Sequence, residues 1–438
     1  MKQRTLVQNM LLALAFVALA AASTPLLWSA DQELVLYNFA GVPDGAAPYD
    51  YGNLVFDSSG NLYGTTQTGG ASSNGTIFQL VPGSPAWTEN QLYSFTGGSD
   101  GASPYAGLVF DGAGNLYGTA GAGGSSTACG SGPGSGCGVV FELTPASGGG
   151  TETVIYSFTG GKDGSIPVAG LIFDASGNLY GTAASGGDAS CVGEYNDPSG
   201  CGVVFELSPV AGGGWKQHVL HTFKGGKSDG ASPTAALLLD ASGNLYGVTT
   251  LGGASNAGVV FELTPTAKGP WKKKLVHSFS GGSGGRYFSH ADHLIFDSAG
   301  NLYGTAEIGG NLNDCGGGGC GLVFELTPKS SGGWKERVLY EFTGTAGDGA
   351  YPEAGLVFDA DNNLYGTTAG GGNGLGVVFE LKLNSKGRWS ETVLYAFAQG
   401  NDGCAPYAGL ILGSSGSLYG ATPFCGVDAD GMIFELVP

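Results

Sequence analysis

One short segment recurs seven times along the chain, and this recurrence constrains the fold more than any other feature of the sequence. The first copy, at residues 57–65, reads DSSGNLYGT. Its Asn is found again at Asn115, Asn178, Asn244, Asn301 and Asn363, with Ser417 in the last copy. Neighbouring copies lie 54 to 66 residues apart. Such regular self-similarity indicates a repeat architecture in which each copy is one supersecondary unit.

Each copy contains four runs of strand length that are rich in Val, Leu, Phe and Tyr. In the third copy these runs are residues 169–174, 178–182, 203–207 and 219–223, bounded by Gly, Pro, Asp and Ser. Seven units of four antiparallel strands predict an all-β, seven-bladed β-propeller, where radial repetition leaves only short protected edges. Small residues open the first strand, as crowding near a propeller axis requires: Gly107, Gly170, Ala236, Gly355 and Gly409. A linear solenoid is the alternative.

The two ends of the repeat region complement each other. Residues 34–39 form a fourth strand with no first three before it, and residues 432–436 form a third strand with no fourth after it. We predict that these two segments pair antiparallel and close the ring.

Residues 1–30 differ from the rest of the chain. Lys2 and Arg4 precede an apolar run at residues 10–22, which is typical of a secretory signal peptide. We expect cleavage between about residues 22 and 30, leaving residues 31–438 as a single propeller domain of seven repeats. An uncleaved anchor is the alternative. We expect a monomeric protein that is secreted to the extracellular space, periplasm or cell surface, with no membrane insertion after signal removal.

The composition is rich in glycine and acidic. The chain has 84 Gly among 438 residues, and because its apolar runs can bury a core, the glycines are interpreted as turn residues rather than as a sign of disorder. Its 17 Lys and Arg against 36 Asp and Glu give a formal net charge of −19. A surface of this sign repels phosphate backbones, so we expect no nucleic-acid partner.

The eight cysteines fall into four local pairs. We predict four disulfides, typical of an oxidising compartment, as follows: Cys129–Cys137, Cys191–Cys201, Cys315–Cys320 and Cys404–Cys425. Zinc binding is the alternative, but the spacing differs from pair to pair.

Three motifs resemble a known family. GLVFDGAGNLYGTA from Gly107, GVVFELTP from Gly138 and VIYSFTGG from Val154 are similar to the Gloeo-Verruco tandem-repeat family of exported bacterial proteins. The similarity extends over essentially everything after residue 30. It implies an exported repeat protein, and because the family implies no established activity, no catalytic residue is assigned.

A candidate ligand site lies where the copies depart from the repeat. Most other copies read Pro-x-Ala-Gly-Leu before the first strand, whereas the fifth has HADHL at residues 290–294 and the first carries Asp50 and Asn53. We predict a polar cluster at the mouth of the central tunnel, formed by Asp50, Asn53, His290, Asp292, His293 and Glu353. The residues His290, Asp292 and His293 have side chains suited to a divalent cation, and no other cofactor is predicted. Drift in a solvated loop is the alternative.

An Asp-Gly pair, or its equivalent, precedes the first strand in most copies. Asp and Gly are common in turns, so these residues also have a purely structural interpretation. Because equivalent loops share one face of a propeller, they also predict an acidic ring that attracts a cation or a cationic ligand: Asp44, Asp100, Asp163, Asp229, Asp348 and Asp402.

The sequence favours binding over catalysis. It has no nucleophile elbow, zinc-protease motif, phosphate loop or dinucleotide fingerprint. We therefore favour an exported binding or interaction module over an enzyme, with a saccharide or another exported protein as its ligand. One alternative is a propeller hydrolase or lyase with a polar or metal site at the tunnel mouth. Another is a structural component of the cell envelope.

Overall fold

The seven copies fold into seven four-stranded antiparallel sheets arranged as the blades of a β-propeller, as predicted. The structure is a computed structural model that describes residues 32–48, 54–84, 86–132, 134–193, 200–267, 269–286, 294–345, 347–398 and 400–437. The predicted signal peptide lies outside these ranges. Residues 33–438 form one compact unit.

The blades are built from equivalent strands. The inner strands are Val55–Phe56, Val109–Phe110, Ile172–Phe173, Leu238–Leu239, Ile295–Phe296, Val357–Phe358 and Ile411–Leu412. The second strands are Leu62–Thr66, Leu116–Ala120, Leu179–Ala183, Leu245–Thr249, Leu302–Ala306, Leu364–Thr368 and Leu418–Thr422. The third strands are Thr76–Val81, Val139–Ala146, Val203–Pro209, Val259–Thr264, Leu322–Pro328, Val377–Leu383 and Met432–Val437.

The outer strands follow in the same order along the ring. Those of the first six blades are Thr88–Ser94, Gly149–Ser157, Trp215–Thr222, Lys272–Ser278, Trp334–Glu341 and Trp389–Ala396. The seventh blade takes its outer strand, Gln32–Asn38, from the start of the propeller, hydrogen-bonded to Met432–Val437. The predicted ring closure is therefore confirmed.

Short elements join the blades. Three two-stranded ladders pair Gly45–Ala46 with Thr68–Gly69, Gly230–Ala231 with Leu251–Gly252, and Gly349–Ala350 with Gly370–Gly371. Single 3-10 turns lie at Gly282–Gly284 and Cys315–Gly317. Within the described ranges there is no helix with the length and hydropathy needed to cross a bilayer.

The repeated DxxGN segment forms the turn between the inner and second strands. In the third blade, one oxygen of Asp174 accepts hydrogen bonds from the amides of Ser176 and Asn178, at 2.8 and 2.9 Å. The other oxygen accepts hydrogen bonds from the side-chain amide of Asn178 and from the hydroxyl of Tyr180. Gly177 has a φ of +83°, which other residues rarely adopt. The motif is thus explained by turn geometry.

The hydrophobic core lies between blades rather than at one centre. One typical cluster joins Tyr117 and Phe158 of the second blade to Leu171, Leu179 and Phe205 of the third. The recurrent glycine of the second strand makes this packing possible: a Cβ on Gly181 would approach the Phe205 ring to 2.6 Å.

The inner strand is shorter than predicted. The sequence indicates a strand over 169–174, but ladder pairing to the second strand covers only Ile172–Phe173. The preceding residues instead bond to the adjacent blade, because the carbonyl oxygen of Ala169 accepts a hydrogen bond from that blade's Thr119.

Candidate functional site

The longer connections of all blades meet on one face of the propeller. Because adjacent strands are antiparallel, the outer-to-inner connections and the second-to-third connections lie at the same end of the blades. The two kinds of connection also bond to each other, as in the pairing of Gly230 with Gly252. We call this surface the loop face, and the opposite surface, which carries the short turns, the turn face.

All four predicted disulfides are present, and all lie on the loop face. Three of them, Cys129–Cys137, Cys191–Cys201 and Cys315–Cys320, close loops within second-to-third connections. The fourth, Cys404–Cys425, joins an outer-to-inner connection to a second-to-third connection. No cysteine is free. The disulfides therefore brace the longer loops of this face.

The six aspartates of the predicted acidic ring lie at equivalent places on the loop face, and each carboxylate binds its own loop. Asp100 is typical: it accepts hydrogen bonds from the Tyr93 hydroxyl at 3.1 Å and the Thr96 amide at 2.7 Å. Burial alone would raise the pKa of Asp100, but these bonds, with that of the Thr96 hydroxyl, lower it. The carboxylates thus hold the connections at the ends of the outer strands.

A second set of carboxyl groups faces these aspartates and was missed by sequence reasoning. Burial, with the nearby Asp44 charge as the smaller cause, raises the pKa of Glu89 on the next outer strand to about 7. Equivalent pairs are Glu33 with Asp402, Glu152 with Asp100, and Glu391 with Asp348. In the fourth blade Lys273 takes the glutamate's place and lies 2.7 Å from Asp229. The missed signal is a Glu that recurs four residues before the outer-strand Tyr.

The predicted tunnel-mouth cluster is described only in part. Asp50, Asn53, His290, Asp292 and His293 lie outside the described residues. Glu353 is half-buried, and burial, with the charge of Glu307 as the smaller cause, raises its pKa to about 8. Among the residues that the structure describes, no group of three His, Cys, Asp or Glu could hold a metal ion.

Three adjoining crevices cross the loop face from the third to the fifth blade. The first, of 620 Å³, lies between Lys162, Asp188 and Lys224. The second, of 450 Å³, shares Lys224 and extends to Asn256. The third, of 230 Å³, shares Asn256 and ends at Arg286. Lys162, Lys224 and Arg286 are exposed. The sequence did not predict these crevices, because they form between loops of different blades.

Solved structures are similar to this chain at low sequence identity. A protein from Lactobacillus plantarum is 11% identical, with 86% of this chain and 99% of that chain covered and a TM-score of 0.51. A Thermus thermophilus protein, named as an oxidoreductase (glucose dehydrogenase), is 15% identical over 93% of this chain and 100% of that chain, with a TM-score of 0.42. A protein named as a gluconolactonase is 13% identical over 68% of this chain and 81% of that one, with a TM-score of 0.33.

No curated protein matches the sequence. The Gloeobacter/Verrucomicrobia repeat matches residues 27–195, 127–336 and 313–438, which together extend over every blade. The resemblance inferred from the repeated motifs is therefore confirmed. The chain belongs to the Gloeobacter/Verrucomicrobia repeat family.

Proposed function

We propose that this protein is an exported binding module that holds an acidic saccharide along the loop face of its third to fifth blades. The observation that carries the proposal is the row of three adjoining crevices with Lys162, Lys224 and Arg286 in their walls. Concave sites with a few well-placed polar groups are the usual form of small-ligand sites.

The distribution of basic residues supports an anionic ligand. The chain has a formal net charge of −19, yet the connections of the loop face contain four basic residues at three consecutive blade junctions: Lys162, Lys224, Lys227 and Arg286. Although Asp188 also lines the first crevice, the four cations outnumber it, so a ligand anion is attracted to this strip more than to the rest of the acidic surface.

The size of the crevices favours a saccharide over a protein. Their volumes of 230 to 620 Å³ suit consecutive sugar units. A protein partner commonly needs a patch of about 800 Å² on each side. The four disulfides favour an oxidising compartment and so support export, together with the predicted signal peptide at residues 1–30.

The test is calorimetric titration of the propeller with polygalacturonate and with neutral dextran at low salt. We expect binding of polygalacturonate only, weakened at least about tenfold in the Lys162→Gln/Lys224→Gln variant. The matched control is Lys335→Gln/Lys386→Gln, which removes two exposed cations outside the loop face and should leave binding unchanged. Equal binding by both variants, or no binding by the wild type, would contradict the proposal.

The hydrolase or lyase alternative rests on His290, Asp292 and His293, which lie outside the described residues. A thermal shift with Zn²⁺ or Ca²⁺ that the Asp292→Ala/His293→Ala variant loses would favour it. The alternative of a purely structural envelope protein offers no reason for the cationic crevices, and failure of every ligand to bind would favour it.

A further inference from the structure

A separate pocket lies on the turn face, between the fifth and sixth blades. Its volume is 420 Å³. The fifth blade contributes Asp297 and Tyr303 to its lining, and the sixth contributes Asp361, Asn362, Leu383 and Trp389. Several of these residues depart from the seven-fold repeat, and their departures meet in this one place.

The turn of the sixth blade carries two polar side chains that the other copies lack. Asn362 replaces a glycine found in each of the other turns, namely Gly60, Gly114, Gly177, Gly243, Gly300 and Gly416. Its φ of +64° lies in the left-handed region, which Gly adopts freely and Asn tolerates better than most other residues. Beside it, Asp361 replaces the Ser or Ala of the other copies. Both side chains are exposed at the rim of the pocket.

The third strand of the sixth blade ends in an exposed apolar residue. Leu383 occupies a position at which the sequence of every other copy has a proline, namely Pro82, Pro145, Pro209, Pro265, Pro328 and Pro438. Its side chain is 52% exposed. An exposed leucine side chain gains no free energy from burial, but it supplies an apolar wall to a ligand in the pocket.

The tryptophan of this blade packs on the core as its equivalents do and also lines the pocket. Trp215 packs edge-to-face on Tyr117 of the preceding blade, with ring centroids 5.9 Å apart. The same pair recurs as Trp87–Tyr419, Trp271–Tyr180 and Trp334–Tyr246. Trp389 likewise packs against the core cluster that contains Tyr303, and both rings also line the pocket.

Hydrogen-bonding groups are available beside these rings. In the second blade Thr144 donates to the side-chain oxygen of Asn115 at 3.0 Å, whereas in the third and fourth blades the equivalent Ser208 and Thr264 donate to a strand glutamate. In the sixth blade Lys382 replaces that threonine and binds Glu380 at 2.7 Å. The equivalent oxygen of Asn363, like the Asp361 carboxylate, has no side-chain donor among the described residues. Both can accept hydrogen bonds from ligand hydroxyls.

From these contacts we infer that the pocket between the fifth and sixth blades binds a neutral hexopyranose unit. One face of the sugar ring packs against Trp389, with Leu383 beside it, and the hydroxyls bond to Asp361, Asn362 and Asn363. The carboxylates of Asp297 and Asp361 at the rim disfavour an acidic sugar. This site lies on the opposite face from the proposed acidic-saccharide site and does not depend on it.

The experiment is a titration of tryptophan fluorescence with the methyl pyranosides of glucose, galactose and mannose. We expect saturable binding of at least one of them, with a dissociation constant on the order of 1 mM. The test variant is Asp361→Ser/Asn362→Gly/Leu383→Pro, which restores the residues of the other copies and therefore folds without new strain. It should bind at least about tenfold more weakly while its Tm is unchanged or higher.

A second pair of variants separates the site from general aromatic packing. In calorimetric titration, Trp389→Ala should bind no pyranoside, whereas Trp334→Ala, which breaks the Trp334–Tyr246 pair at the neighbouring junction, should lower stability and leave sugar affinity unchanged. The proposal is overturned if the restored variant binds as tightly as the wild type, or if no pyranoside gives a saturable change. Polygalacturonate binding, measured on the same variants, should be unaffected in either case.

Discussion

The hydroxyl of Thr119 on the second strand of one blade donates a 3.0 Å hydrogen bond to the carbonyl oxygen of Ala169 at the start of the next blade's inner strand. The same bond recurs at four other junctions: Thr65 to Ala106, Thr182 to Ala235, Thr305 to Ala354 and Thr367 to Ala408. It satisfies a backbone carbonyl that the short inner strand leaves unpaired, so it links adjacent blades close to the axis.

Removal of this hydroxyl should destabilise the ring. Thr119 is fully buried, so Thr119→Val leaves the Ala169 carbonyl without its donor and should lower the free energy of unfolding by about 1–3 kcal/mol. Urea unfolding followed by tryptophan fluorescence measures the loss. The exposed Thr151→Val on the outer strand of the same blade is the control and should change stability little. Equal effects of the two substitutions would mean that the inter-blade bond adds nothing.

The two junctions without this bond are informative about what the sequence does and does not predict. Val248 and Ala421 occupy the threonine position in the fourth and seventh blades. The blades that follow them are the fifth and the first, whose inner segments carry the atypical residues His290–His293 and Asp50–Asn53. At both junctions, the loss of the threonine hydroxyl in one blade therefore coincides with atypical residues in the next blade. This relation becomes visible only when the structure shows which threonine bonds to which blade.

The fold was predictable because its determinants are local and repeated seven times. The Asp174 turn, the apolar strands and the closely spaced cysteines each indicate their own structure from a few neighbouring residues. The crevice at Lys224 and the pocket at Trp389 were not predictable, because each forms between residues of different blades, far apart in sequence. The pairing of Glu89 with Asp44 was missed for the same reason.

Loss of Lys273 should leave an uncompensated buried charge. Its ammonium group binds Asp229 at 2.7 Å and the carbonyl oxygen of Ser228 at 2.8 Å, and both charged side chains are largely buried. Lys273→Met should therefore lower the free energy of unfolding by roughly 3 kcal/mol. Urea unfolding at pH 7 measures this change in the free energy of unfolding. The control is Lys272→Met, which removes a neighbouring but exposed lysine. A loss no larger than that of the control would show that His221 alone is a sufficient partner for Asp229.

The disulfides should differ in their contribution according to the length of chain that each closes. Cys404 and Cys425 are 21 residues apart, whereas Cys315 and Cys320 are 5 apart. In the chain-entropy description, replacing the first pair by Ala should lower the free energy of unfolding by about 3 kcal/mol, and replacing the second should lower it by about 2 kcal/mol. Urea unfolding of the two double variants under oxidising conditions measures the difference. A larger loss for the Cys315–Cys320 pair would show that local packing of that loop outweighs chain entropy.

The carboxyl pairs between blades should make the propeller more stable in mild acid than in mild base. Burial, with Asp44 as the smaller cause, raises the pKa of Glu89 to about 7, and the pKa of Glu391 is raised to about 8 by burial and Asp348. The folded state therefore holds protons on these groups that the unfolded chain has released. When the folded state binds more protons, stability falls as pH rises, here between about pH 5 and 8.

Removing one such group should flatten this dependence. In Glu89→Gln the amide cannot ionise, so the difference in Tm between pH 5 and pH 8 should be smaller than in the wild type by roughly 2 °C or more. Calorimetry at a series of pH values measures it. Glu341→Gln, at an exposed position, is the control and should keep the wild-type slope. If Glu89→Gln also keeps that slope, Glu89 is ionised in the folded protein at neutral pH. The repulsion between the two facing carboxylates is then reduced by bound water or a cation at the junction rather than by a proton.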